Sequence, residues 1–189
     1  MNVFRITVLS LFAAACFCGA LSCAKEEPAK KEEPAITKDD GLISYVNENV
    51  VFGVYFDAEG TKRTIKLDRD VREFDVHVIV HFPEEMQIAA TEFKLILPDG
   101  VSIVNDKYSQ DRVMSLGTFD GGLSERFPCR PGPMMVVHTL TLRADKPLEN
   151  AIIGLGPSEN AQFIGVAECE EGYPRARARA YRAVINPTE

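Results

Sequence analysis

Val71-Arg-Glu-Phe-Asp-Val-His-Val-Ile-Val-His-Phe82 is the stretch from which the fold is read. Its apolar residues recur at a spacing of two, so Phe74, Val76, Val78, Val80 and Phe82 share one face of an extended chain. Asp75, His77, Ile79 and His81 take the other face. The β-branched and aromatic content suits a pleated surface, and the pattern predicts a strand half buried against a core.

The same period continues on both sides of this strand. Residues 50–56 predict a strand, 57–60 a turn and 61–67 its hairpin return. Residues 90–97 place Phe93, Leu95 and Leu97 on one face before the turn Pro98-Asp-Gly100, and residues 101–104 continue beyond it. Further strands are expected at 134–142, 151–155, 162–166 and 177–185, with no helix longer than two turns. Short strands cut every ten residues or so by Pro, Gly, Asn and Asp describe an all-β, antiparallel β-sandwich spanning residues 41–189.

Upstream the composition changes twice. Arg5 precedes an apolar run over residues 6–21, too short for a comfortable membrane span and ending in Ala20-Leu21-Ser22-Cys23. This resembles a bacterial lipobox, except that Leu sits two places before the cysteine rather than three. The resemblance implies a signal peptide over residues 1–22 and lipidation at Cys23. An ordinary secretory signal cut near Ala20 or Ser22 is the alternative. Residues 23–40 follow as a charged, Pro-containing tether; from Lys25 to Asp40 it holds four lysines and six acids, a solvated spacer rather than a polybasic lipid anchor.

Removing Cys16 and Cys18 with the leader and Cys23 by lipidation leaves Cys129 and Cys169. In an oxidising compartment these are expected to pair, closing a loop of about 40 residues. Neither has another cysteine or a histidine at metal-ligand spacing. Residues 41–189 carry 16 basic and 22 acidic side chains, a net charge of −6, which argues against a nucleic-acid partner.

No residue set spells out a reaction. His77 and His81 lie about 13 Å apart along a strand face, too far for one metal ion. His77 can meet Asp75, and both histidines read as exposed polar positions. His138, between Val136 and Leu140, reads as a satisfied interior histidine. There is no Gly-x-Ser-x-Gly elbow, and Gly122-Leu-Ser124 is only a loop. The acid pairs Asp68 with Asp70 and Glu84 with Glu85 read as solvated charges. No catalytic residue, metal site or cofactor is therefore expected, although the oxygens of Asp68, Asp70 and residues 105–111 leave a structural calcium open. Arg175, Arg177 and Arg179 alternate with alanines along one face. They fit either a grip on an anionic ligand or a charged edge or outer-face strand that prevents aggregation.

Ala90-Thr-Glu-Phe-Lys-Leu-Ile-Leu-Pro-Asp-Gly-Val101, then Leu116-Gly117, then Val136-Val-His-Thr-Leu-Thr-Leu142 resemble the cohesin-like and related carbohydrate-binding β-sandwiches. An Ig-like sandwich is the neighbouring possibility. The resemblance implies fold and a binding role and transfers no site residues. The expectation is a non-catalytic, lipid-anchored module of the cell envelope, facing the periplasm or the cell surface, that binds a protein or glycan. The ligand-binding residues are unknown, with residues 119–122 and 129–133 the favoured loops. A structural or assembly component of the envelope is the alternative. Ala24, where an aspartate would resemble an inner-membrane retention signal, favours the outer membrane.

Overall fold

The computed structural model describes residues 37–39 and 42–188. The leader, Cys23 and the tether up to residue 36 lie outside the described residues. The described residues belong to the compact unit spanning residues 33–189. No helix occurs among them.

The chain forms β1 (Thr37–Asp39), β2 (Leu42–Tyr55), β3 (Thr64–Ile65), β4 (Glu73–His81), β5 (Gln87–Ile96), β6 (Val101–Tyr108), β7 (Met114–Thr118), β8 (Gly122–Pro131), β9 (Met134–Ala144), β10 (Ala151–Gly156), β11 (Gly165–Glu168), β12 (Arg175–Tyr181) and β13 (Ala183–Ile185). One layer runs β6-β9-β4-β2-β12. The other centres on β5, which pairs with β8 along one side, and with β11 and then β10 along the other. Pairing of β11 with β12 joins the layers.

The layers meet through the residues that alternation placed inside. Phe74, Val76, Val78, Val80 and Phe82 are all buried, opposite Phe93 and Leu95. Phe52 on β2 packs against Phe93 on β5 with ring centroids 5.2 Å apart. Burying each such ring stabilises the fold by about 2–3 kcal/mol. The Pro98-Asp-Gly turn forms as expected, with Gly100 at φ 78° and the Val101 amide donating to the Pro98 carbonyl at 3.1 Å.

Several expectations are corrected. The turn at 57–60 forms, with Asp57 Oδ1 accepting from the Thr61 and Lys62 amides at 2.9 Å each. Its hairpin return does not form: β3 is two residues long and pairs in parallel with β13, because β4 and β12 occupy both sides of β2. The sandwich is not wholly antiparallel, since β12 also lies parallel to β2. Ile79, assigned to the polar face, is fully buried, and His81 is half buried. Gly60 sits over both, so close that a Cβ there would stand 2.5 Å from His81 Nε2. β6 extends to Tyr108, β7 and β8 fill a stretch read as loop, and β11 is displaced from 162–166 to Gly165–Glu168. The segment 177–185 divides at Arg182 into β12 and β13, which pair with different neighbours. Strand pairing also begins before residue 41, at β1.

Candidate functional site

The two outer faces differ in chemistry. On the β9-β4 face three cross-strand polar pairs form: Arg143 pairs with Glu73 at 2.6 Å, Thr141 donates to Asp75 at 2.7 Å, and His77 Nδ1 bonds Thr139 Oγ1 at 3.0 Å; His81 Nε2, under Gly60, has no hydrogen-bond partner. His77 thus meets Thr139 rather than Asp75. From Glu73 to His77 this face presents a polar ladder.

The face of β7, β8, β5, β11 and β12 is built otherwise. Strand register lays out one row as Met114, Arg126, Ala90, Ala167 and Arg175, and the next as Leu116, Ser124, Glu92, Gly165 and Arg177. The alanines, glycine and serine at the middle of these rows leave a depression, with Phe163 and Arg175 among its walls. Phe163 lies against Gly165, where a Cβ would meet the ring at 2.9 Å, and the Arg177 guanidinium stands 4.7 Å from the ring centroid. Beneath the depression, on the inward side with Glu125 and Val166, Thr91 is only 1% exposed and its hydroxyl has no hydrogen-bond partner. At the rim, β7 pairs only with β8 among the described strands, and Val113, Met114 and Leu116 are 68%, 47% and 58% exposed. Adjacent exposed aliphatic side chains on an open sheet edge are the kind of surface that partners cover.

A bridge between Cys129 and Cys169 braces this face, with Cα atoms 5.8 Å apart. Cys129 lies on β8 and Cys169 follows β11, so the bridge spans the two strands flanking β5. Arg175 and Arg177 belong to the rows just described, and Arg179 pairs with Glu48 at 2.6 Å. β12 sits between β11 and β2, so the arginines mark an outer face and not a sheet edge.

The favoured loops are occupied in holding the fold. Phe119 turns inward, its ring 5.0 Å from His138, and its carbonyl accepts the Leu95 amide at 2.7 Å. Beyond Cys129, the Gly132 amide donates to Met86 and the Pro133 carbonyl accepts from Phe82.

Behind β8 lies a charged chain crossing the interior. His138 on β9 is fully buried; its Nε2 meets Glu125 on β8 at 2.8 Å and its Nδ1 meets Asp106 on β6 at 2.7 Å. Arg112 bonds the second Glu125 oxygen at 2.5 Å and stacks 3.6 Å from the centroid of the Tyr108 ring. Burial alone would raise the Glu125 carboxyl; hydrogen bonding and charge from His138 and then Arg112 outweigh it and hold the group below its ordinary range. Fully buried and with both ring nitrogens engaged by carboxylates, His138 has no nitrogen open to a substrate. Asp106 is committed to His138, and Asp111 to Arg130 and Ser109, so the segment 105–111 is a strand and its connection, not an open cation loop. Among the described residues, no three His, Cys, Asp or Glu side chains are grouped to hold a metal ion.

Glu168, 8% exposed, has its carboxyl raised to about 7, chiefly by burial and further by nearby Glu170; the Tyr45 hydroxyl donates to it. The folded value lies above the ordinary 4.5, so protonation favours the folded state. This contribution is complete below pH 4.5 and is lost as pH rises through about 7. The melting temperature is expected to fall over that interval, and Glu168→Gln to flatten that part of the profile. A wild-type profile without the decline would contradict the assignment.

No protein-family model matches this sequence, and no curated protein matches it. Among solved structures, a cohesin module from a Clostridium perfringens family 33 glycoside hydrolase superposes with a TM-score of 0.50 at 9% identity, over 74% of this chain and 99% of that one. The seventh ScaB type I cohesin from Pseudobacteroides cellulosolvens gives 0.49 at 10% identity, over 74% and 94%. A non-cellulosomal cohesin from the archaeon Archaeoglobus fulgidus gives 0.45 at 8% identity, over 72% and 91%. At such identities the likeness concerns architecture, and the Clostridium perfringens module carries it. Together with the two-layer topology, it shows that the described domain has a cohesin-like β-sandwich fold.

Proposed function

We propose that this chain is a non-catalytic, extracytoplasmic binding module, held to a membrane through lipidated Cys23 and engaging a protein through the outer face of β7, β8, β5 and β11. The observation that carries the reading is the contrast between the two outer faces. One is a polar ladder of Arg143 with Glu73, Thr141 with Asp75 and His77 with Thr139, while the other sets exposed Val113, Met114 and Leu116 beside a depression floored by alanine and glycine. Aliphatic side chains around small residues suit a protein knob better than a sugar ring, which favours aromatic platforms and dense hydrogen bonding.

The address rests on the leader, the lipobox-like sequence at Cys23 and the charged spacer after it. A bridge between Cys129 and Cys169 accords with an oxidising compartment outside the cytoplasm. The cohesin-like fold accords with a binding role.

The test is retention of envelope proteins on immobilised full-length chain. A partner held by the wild type should be lost from Leu116→Asp, a change at an exposed position that leaves the core intact. Thr141→Asp, on the polar ladder, should retain it. Loss from Thr141→Asp with retention by Leu116→Asp would overturn the assignment of the face.

A further inference from the structure

Along β5 the same outer surface continues past Lys94 to Ile96, then crosses Gly154 and Ile152 on β10 to Val184 on β13. A second groove opens there, apart from the depression around Ala90 and Gly165. Its floor is apolar and low. Ile96 and Ile152 are 49% and 40% exposed, and a Cβ built on Gly154 would find no atom within 4 Å. Two arginines stand around it: Arg63, whose guanidinium lies 4.6 Å from the centroid of the Tyr181 ring, and Arg182 at the break between β12 and β13.

The charge around the groove runs against that of the domain. Residues 41–189 carry a net charge of −6, yet no acidic side chain lines this groove. Among the described residues neither Arg63 nor Arg182 forms an ion pair, whereas Arg112, Arg130, Arg143 and Arg179 each do. A guanidinium without a carboxylate partner beside exposed aliphatic side chains matches a ligand that brings both carboxylate and hydrocarbon.

We propose that this groove binds an acidic peptide segment of a protein partner, with aliphatic side chains laid over Ile96, Gly154 and Ile152 and carboxylates meeting Arg63 and Arg182. A glycan fits less well, since Tyr181 is the one aromatic side chain in the lining and its ring already stacks with Arg63. The groove does not depend on the β7 surface, so the two assignments stand or fall separately.

The experiment is a fluorescence-anisotropy titration of the full chain in detergent with a labelled Glu-Ile-Glu-Ile-Glu-Ile peptide, using its Gln-Ile counterpart as control. Saturable binding of the glutamate peptide is expected, weaker by about tenfold for the glutamine peptide and by about threefold for each of Arg63→Gln and Arg182→Gln. Added salt should weaken it further. Leu116→Asp should bind the peptide as wild type does. Equal binding of both peptides, or undiminished binding by the arginine variants, would overturn the proposal. So would preferential binding of polygalacturonate, which would give the groove to an acidic glycan, or self-association lost on Arg63→Gln, which would give it to a second copy.

Discussion

Replacing His138 with alanine is expected to lower stability by about 3–5 kcal/mol, read as a fall in the urea midpoint at unchanged slope. The size follows from what the ring leaves behind. Glu125 is 1% exposed and loses the partner of one oxygen, and Asp106 loses a donor at the same time. Arg112 alone then faces a buried carboxylate whose desolvation it offsets only in part. The cost belongs to breaking the set rather than to the worth of the set. Converting Glu125 and His138 together to leucine should recover part of the loss, because it removes the buried carboxylate and leaves unpaired only Arg112 and Asp106, which reach solvent. A decrease below about 1 kcal/mol for His138→Ala would show that the network contributes little.

The second large effect is expected from Cys129→Ser with Cys169→Ser. A closed loop of 40 residues restricts the unfolded chain by about 4 kcal/mol in the chain-entropy treatment. Because the bridge spans the two strands flanking β5, its removal should also loosen the proposed binding face before it loosens β4 and β9. Amide exchange in β8 and β11 should accelerate most. Non-reducing peptide mass spectrometry is the direct check, and free thiols at both positions in protein recovered from the envelope would contradict the expectation.

What was legible in the sequence was what a single strand carries within itself. β4 could be read because its inward positions are Phe74, Val76, Val78 and Val80 without interruption, the end of β5 because Phe93 and Leu95 alternate with polar residues, and the turn between β5 and β6 because Asp99-Gly100 supplies the positive φ it needs. β8 was missed for the complementary reason. Its inward positions run Leu123, Glu125 and Phe127, and a glutamate breaks the apolar count. That glutamate is tolerated inside only because His138 and Arg112 arrive from elsewhere in the chain.

Partnership was less visible than burial. Alternation placed His138 indoors, but nothing local named Glu125 or Asp106 as its neighbours. The hairpin return after β2 failed in the same way, since a local turn does not reveal that β4 and β12 will take both sides of that strand. The proposed binding face was the least legible part. Val113, Met114 and Leu116 look like core residues in a list of hydropathies, and only the pairing of β7 with β8 puts them at an open edge. The small residues at the centre of the depression come from three separate strands, and only register aligns them.

The most direct test of the proposed function is site-specific photocrosslinking in cells that produce the full chain, with a benzoylphenylalanine residue placed at Leu116 or at Thr141. The account predicts a discrete covalent adduct with a second protein from position 116 and none from position 141. An adduct from position 141 alone, or from neither position, would contradict binding through the outer face of β7, β8, β5 and β11.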